Sequence, residues 1–435
     1  MATGALSLAE YLATETAAIA TACTACGKCV EICPVTSYTE LHGETPEAIT
    51  RSVRGVLAGR APSPGATAWA HACNGCGECI PACPEGVNPR KMLVLANTLR
   101  AREERQTPEL FRKMSRAIRL VAGMQLVPAE FARLLTPPRT REVPVVFYVG
   151  CNAIRTPHLL FNAMYVLDAI GADYEVVGGP GTCCGIIHQK WEGELATGER
   201  VTAGTLRKFE GFKPERVLTW CPSCQLHLGE SLAGFRRTSF DLDHVTDFFV
   251  AHEERLHAKF VRPVPRKAVL HAHIGLTDLG RNVAVLLAAI PGLQLVETVW
   301  EPGYTCGGSG CNKAPKLAAL EHARLLDRVR ETGADVLVTF YHGCHASFVG
   351  AEKEGRFRIL NFTDLLVEAL GGVPHEDRFK RYRLADDLKM VVEEGLPYLR
   401  ANGIDVEPGV LEQILPELFA LAEFRGGLHC FASPT

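Results

Sequence analysis

The residues with the most chemistry in this 435-residue chain are Cys183 and Cys184, set in Gly181-Thr182-Cys183-Cys184-Gly185. Cys151 precedes them, and Cys221-Pro222-Ser223-Cys224 follows. Adjacent side chains diverge, so two vicinal cysteines make poor independent ligands for one tetrahedral ion. They can instead reach different irons of a cluster, or bridge between them. Soft thiolates at five converging positions select iron–sulfur or other soft-metal chemistry over magnesium or calcium. Redox chemistry, with electrons delivered from elsewhere in the chain, is the expectation for this stretch.

A supply of electrons is legible near the start. Cys23, Cys26, Cys29 and Cys33-Pro34 follow the spacing C-x2-C-x2-C-x3-C-P, and Cys73, Cys76, Cys79 and Cys83-Pro84 repeat it. This is the bacterial ferredoxin run, in which the fourth cysteine ligates the other cluster. One cubane [4Fe-4S] cluster is therefore expected on Cys23, Cys26, Cys29 and Cys83, and a second on Cys73, Cys76, Cys79 and Cys33. Gly27 and Gly77 relieve the tight loops, and each proline directs the chain toward the neighbouring site. Zinc asks for two short ligand pairs, which this triplet-plus-one spacing does not offer. The insert between Cys33 and Cys73 holds the helix-start signal Thr45-Pro46-Glu47, followed by apolar positions spaced for a short helix up to Gly59. It predicts an all-helical ferredoxin, similar to the iron–sulfur module of succinate dehydrogenases.

The elements that position the later cysteines read as strands alternating with helices, hence a parallel sheet. Strands over Val145 to Val149, around Val176-Val177 and over Val217 to Trp220 each run into a cysteine group, with helices over Pro157 to Ile170 and Leu195 to Phe209. In parallel sheets chemistry gathers at the carboxyl ends of strands. The pattern then recurs, which implies duplication. Ala268 to Leu270, the turn Gly303-Tyr304-Thr305-Cys306-Gly307-Gly308, and Val336 to Phe340 leading to Tyr341-His342-Gly343-Cys344 match the first half. Of five ligand positions the second half keeps Cys306 and Cys344 and adds Cys311, so the two sites are not equivalent. The fold class is an α-helical ferredoxin domain (1–100), a helical linker (101–142), duplicated α/β parallel-sheet domains (143–262 and 263–371) and a helical tail (372–435).

Seventeen cysteines clustered in this way point to metal rather than a disulfide framework. A net charge of −3 gives no sign of nucleic acid as partner. Met1 to Ala22 lacks a basic signal region, and no apolar run approaches the ~18 residues of a membrane span. A cytoplasmic protein, at most peripheral to the inner membrane through its partners, is expected. In the linker, read as two helices before Pro137-Pro138, Leu110, Met114, Ile118 and Val121 form an apolar stripe flanked by Arg112, Lys113, Arg116 and Arg119. The stripe suits packing across two domains, or a membrane surface or acidic partner. In the tail, Leu384 to Asn402 and Val410 to Phe424 read as helices, and Cys430 as a lone thiol.

From about residue 20 to 370 these motifs resemble the heterodisulfide reductase family, whose "CCG" cysteine-rich domains carry the same cysteine groups. Iron–sulfur subunits of glycolate oxidase, anaerobic glycerol-3-phosphate dehydrogenase and lactate-utilisation proteins share the layout, as do related subunits of sulfur-oxidation complexes. The resemblance implies a noncubane [4Fe-4S] cluster on Cys151, Cys183, Cys184, Cys221 and Cys224, acting on a disulfide or sulfur substrate. It also implies partner subunits: a flavoprotein or other electron-transfer protein, and a quinone-reactive membrane subunit. Cys184 and His188 are the catalytic candidates, His188 as proton donor to a departing thiolate, with His342 and His345 as donors from the facing half. Cys306, Cys311 and Cys344, with His342 or His345, are candidates for a further iron–sulfur cluster or zinc. Helices following each cysteine group are expected to lower thiol pKa. The competing readings are an electron-transfer subunit between a flavin-dependent 2-hydroxy-acid or glycerol-phosphate dehydrogenase and quinone, and a zinc-stabilised scaffold.

Overall fold

The computed structural model describes residues 6–104, 109–136, 138–302 and 314–419, so Cys306, Cys311 and Cys430 fall outside the described residues. The first hundred residues are helical. Thr45 caps Pro46–Leu57 through Ala48 N–H, as its sequence announced. Two further helices flank it, Leu8–Ala22 and Pro64–Ala72. The first opens on a capping box between Ser7 and Glu10, a signal readable in the sequence.

Two four-stranded parallel sheets follow. The first comprises β1 (Val145–Gly150), β2 (Tyr174–Gly178), β3 (Arg216–Thr219) and β4 (Asp241–His244) in the order β2-β1-β3-β4. The second, β5 (Lys267–His273), β6 (Gln294–Glu301), β7 (Val336–Thr339) and β8 (Arg358–Asn361), repeats that order as β6-β5-β7-β8. The duplication is therefore one of topology as well as motif. Sequence reading missed β4, β6 and β8; β4 and β8 have four residues each, too few to show alternation. In each sheet the chain leaves the first strand for one neighbour and later returns on its other side, which opens a crevice at the carboxyl ends.

The linker holds three helices, Pro89–Glu104, Glu109–Gly123 and Pro128–Leu135, rather than two before the proline pair. Pro128 at the first turn and Glu130 bonded back to Val127 N–H start the third. Met114, Ile118 and Val121 are buried in the core shared with both sheets. The stripe thus packs inside the molecule, and the membrane-surface alternative fails because that face is covered. No helix among the described residues is long and apolar enough to cross a membrane.

The tail (Arg378–Leu384, Leu388–Ala401, Pro408–Leu418) is clipped to the two halves by Asp377. Its Oδ2 accepts from His345 Nε2 at 2.6 Å and lies 3.3 Å from His158 Nε2. Burial alone would raise the Asp377 carboxyl, but His158 and His345 hold it far below the usual carboxylate range. A folded-state pKa below the unfolded value of about 4 gives stability that is present above that pH and lost as pH falls through the folded value. Asp377→Asn should cost about 3 kcal/mol at neutral pH. The melting difference from wild type should narrow on acidification below the ordinary carboxylate range; equal melting temperatures at neutral pH would contradict the clip.

Candidate iron–sulfur redox site

In the helical domain the crossed grouping of cysteines holds as geometry. Cys23, Cys26, Cys29 and Cys83 line one cleft. Cys33, Cys73, Cys76 and Cys79 form the other group, each within electrostatic reach of its neighbours. Gly27 and Gly77 both take positive φ in the loops. Burial, with repulsion among the sulfurs, pushes Cys29 and Cys33 up to about 11 and Cys76 to about 12. Thiols so placed are poor anions by themselves, and a cationic iron core bound there would supply the missing compensation. The donor set fits two clusters. Cys26 is exposed and Cys29 buried in the first group, whereas the second has Cys76 and Cys79 buried and none exposed, so the second is the more inward of the two.

The inward group is docked on both sheet domains, with Arg90 reaching the two of them at once. Arg90 Nη1 donates to Gly75 O at 3.0 Å and Gly275 O at 3.3 Å, while its Nε and Nη2 clasp Glu230 at 3.0 and 2.5 Å. Asn74 Nδ2 adds a bond to Pro302 O at 2.7 Å. The Cys73-to-Cys79 loop is therefore tied to the second half directly and to the first through Arg90.

In the first sheet domain the five cysteines meet. Cys151 follows β1, the Cys183-Cys184 turn follows β2, and Cys221 and Cys224 follow β3, all buried. Their thiols interact in an unbroken series: Cys151 with Cys183, Cys183 with Cys184, Cys184 with Cys224, and Cys224 with Cys221. Every carbonyl of the turn is taken. Lys208 Nζ bonds Gly181 O (2.9 Å), Tyr148 Oη bonds Thr182 O (2.8 Å), and Thr205 and Thr202 hydroxyls bond Cys183 O and Cys184 O (2.8 Å each). Buried carbonyls so satisfied fix both sulfurs. Two glycines are required. A Cβ at Gly185 (φ +95°) would lie 2.2 Å from Thr202 Oγ1, and one at Gly150 (φ +74°) 3.3 Å from Cys224 Sγ.

The expectation of uniformly lowered thiols is corrected. Cys183 is held well below the ordinary thiol range by donation from Cys151 and Cys184, and Cys221 is lowered by donation from Cys224. Cys151, Cys184 and Cys224 are pushed well up, because each donates to a neighbouring sulfur and is buried. Contacts among the five sulfurs outweigh the helix ends.

Two histidines stand beside Cys183, each on a π-helical turn, an irregularity frequent at functional sites. His188, on Ile187–Trp191, donates from Nδ1 to Glu192 Oε2 at 2.7 Å. Phe111 holds this pair from the linker: its ring lies 4.5 Å from the His188 ring, and its N–H donates to Glu192 Oε1 at 3.0 Å. His227, on His227–Ser231, is fully buried among groups that leave both ring nitrogens without a hydrogen bond. Burial takes its pKa down to about 4, partly offset by the charge of Cys183. Sequence reading singled out His188 and missed His227. The i, i+4 spacing of His188 and Glu192 was there to be seen.

In the second domain His345 turns to Asp377, while the imidazoles that gather with Cys344 are His271 and His273. His342 is buried, and burial takes its pKa down to about 4.

Comparison with known proteins agrees with this architecture. The chain matches the 4Fe-4S dicluster domain over residues 22–88 and the cysteine-rich CCG domain over 145–229 and 273–349. Domain and cysteine sets together define an iron–sulfur electron-transfer protein. The chain is 26% identical over 230 residues to a subunit of the CoM/CoB fumarate reductase of Methanothermobacter marburgensis, covering 51% of this chain and 45% of that one. It is 25% identical over 260 residues to a subunit of the dihydromethanophenazine:CoB–CoM heterodisulfide reductase of Methanosarcina barkeri, covering 53% and 60%. The chain thus spans 45% to 60% of the lengths of these relatives. It is a heterodisulfide-reductase-like iron–sulfur protein, a dicluster ferredoxin domain joined to two CCG domains.

Proposed function

We propose that this chain is the iron–sulfur subunit of an oxidoreductase that reduces a disulfide, two electrons and two protons converting RSSR′ into RSH and R′SH. The observation that carries the reading is the buried series of five sulfurs with His188 and Glu192 beside Cys183. A noncubane [4Fe-4S] cluster on Cys151, Cys183, Cys184, Cys221 and Cys224 would supply sulfur-bond chemistry, and two cubanes on the ferredoxin cysteines would supply electrons.

The chain's own residues have separable tasks. The exposed Cys26 side of the ferredoxin domain receives the electron donor, a flavoprotein or other electron-transfer subunit. Arg90 fixes the inward cysteine group against the two sheet domains. Glu192 holds His188 by Nδ1, which leaves Nε2 to deliver a proton to a departing thiolate. The relatives are named as subunits, which supports a place in a larger complex, in which a membrane-bound, quinone-reactive partner is one candidate.

The test is anaerobic disulfide reduction by the full chain, driven by a reduced viologen dye. His188→Ala should lower the rate about 100-fold, with iron content unchanged and the remaining activity rising as pH falls, because solvent must now supply the proton. Glu192→Gln should give an intermediate loss. Wild-type rate and pH profile in His188→Ala would remove the proton-donor role. A chain that accepts electrons only from a 2-hydroxy-acid or glycerol-phosphate dehydrogenase, and leaves disulfides untouched, would overturn the disulfide reading.

A further inference from the structure

The second sheet carries different side chains at the positions that face the sulfurs in the first. In the first sheet Gly150 pairs with Gly178; in the second the pair at the same place is His273 with Glu301. Two residues earlier, Tyr148, whose hydroxyl lies 3.8 Å from Cys224 Sγ, gives way to His271. Cys224 itself is matched by Cys344, at the start of His342–Phe348 after β7. Thus the tyrosine and two glycines beside one cysteine become two histidines and a glutamate beside the other.

This exchange changes what the site can hold. Gly150 leaves open the space beside Cys224, where a Cβ would come within 3.3 Å of the sulfur. His273 fills that space with its ring and brings Nε2 to 3.3 Å from Cys344 Sγ. A cluster of the first-half kind loses its room on that side, whereas a single ion gains a donor. His271 and His273 lie on one face of β5, as residues i and i+2 of a strand must. One donor atom from each of His271, His273 and Cys344 lies within 4.8 Å of the other two, and all three residues are buried. Tetrahedral zinc, with bonds of about 2.1 Å to nitrogen and about 2.3 Å to sulfur, sets its ligand atoms about 3.5 Å apart. Small side-chain rotations close that difference.

The surroundings are those of a ligand shell. Glu301 Oε2 accepts from His271 Nε2 at 2.7 Å, the carboxylate–histidine arrangement that orients a metal-bound imidazole and leaves Nδ1 to ligate. His322 is buried nearby, its ring 4.6 Å from Phe348. Two imidazoles and a thiolate are borderline-to-soft donors that suit zinc and disfavour magnesium or calcium.

We propose that His271, His273 and Cys344 bind one divalent ion of the zinc class in the second CCG domain, with Glu301 as the outer partner of His271. The site goes beyond the disulfide reading and does not depend on it.

The test is metal analysis of the full chain, purified anaerobically from zinc-replete cells, for wild type, His273→Ala and Cys344→Ser. About one zinc per chain is expected in wild type, falling at least fivefold in both variants with iron and labile sulfide unchanged. Cobalt loaded in place of zinc should give a thiolate-to-cobalt charge-transfer band in wild type that Cys344→Ser abolishes. The wild-type band keeps the test open even where a variant fails to fold. Wild type without zinc and without the cobalt band overturns the proposal, as does zinc retained by both variants. So does a loss of about four irons per chain in Cys344→Ser, which would place a cluster on Cys344. Failure of the disulfide assay with zinc present would count against the proposed function alone.

Discussion

Replacing Cys184 by serine is expected to remove about four of about twelve irons per chain, while the ferredoxin clusters keep their spectra and sulfur-substrate activity is lost. Cys184 sits inside the sulfur series, in contact with Cys183 on one side and Cys224 on the other. Its carbonyl is pinned by Thr202 and the next residue is a glycine that no side chain can replace without striking that threonine. Serine preserves the volume and withdraws the soft donor, so the backbone should survive while iron ligation does not. Iron and labile sulfide assays, with low-temperature electron paramagnetic resonance, read the result. Unchanged iron, or loss of the ferredoxin signals instead, would contradict the assignment.

The second large effect is expected at Arg90. Its guanidinium joins the Cys73-to-Cys79 loop to Glu230 and Gly275, one from each sheet domain. Arg90→Met keeps the aliphatic stem and leaves Glu230 without its clasp in a part-buried position. A cost of about 3 kcal/mol is expected, felt as loosened docking rather than loss of either domain. Electron delivery from the ferredoxin domain to the five-cysteine site should slow at least tenfold, because transfer depends on the distance that this contact maintains. Rapid-mixing reduction followed at separate cluster signals measures it. Full transfer rate in Arg90→Met, with the clusters intact, would show that docking rests elsewhere.

The ferredoxin cysteines, the duplication and the five-sulfur group were all legible, because ligand spacing and β/α alternation are local in sequence. Their grouping in space follows from the repeated sheet order, which places Cys151, Cys183 and Cys221 at the ends of three neighbouring strands. What sequence reading missed is long-range. Arg90 meets Glu230 across 140 positions, and Phe111 holds Glu192 across 81. His227 showed no spacing signal at all. In the second half the spacing offers Cys306, Cys311 and Cys344 with His342 or His345, whereas the structure brings His271 and His273 to Cys344 from a strand more than seventy residues away. His345, adjacent in sequence, turns to the tail because Asp377 offers it a carboxylate.

The proposed set of thirteen cysteines on three iron–sulfur clusters, one of them outside the cubane type, is open to direct measurement. Mössbauer and paramagnetic resonance spectra of the anaerobically isolated, iron-57-labelled full chain test it most directly. About twelve irons per chain, two cubane signals and a third of distinct character are the predicted result. About eight irons, with cubane signals alone, would contradict it.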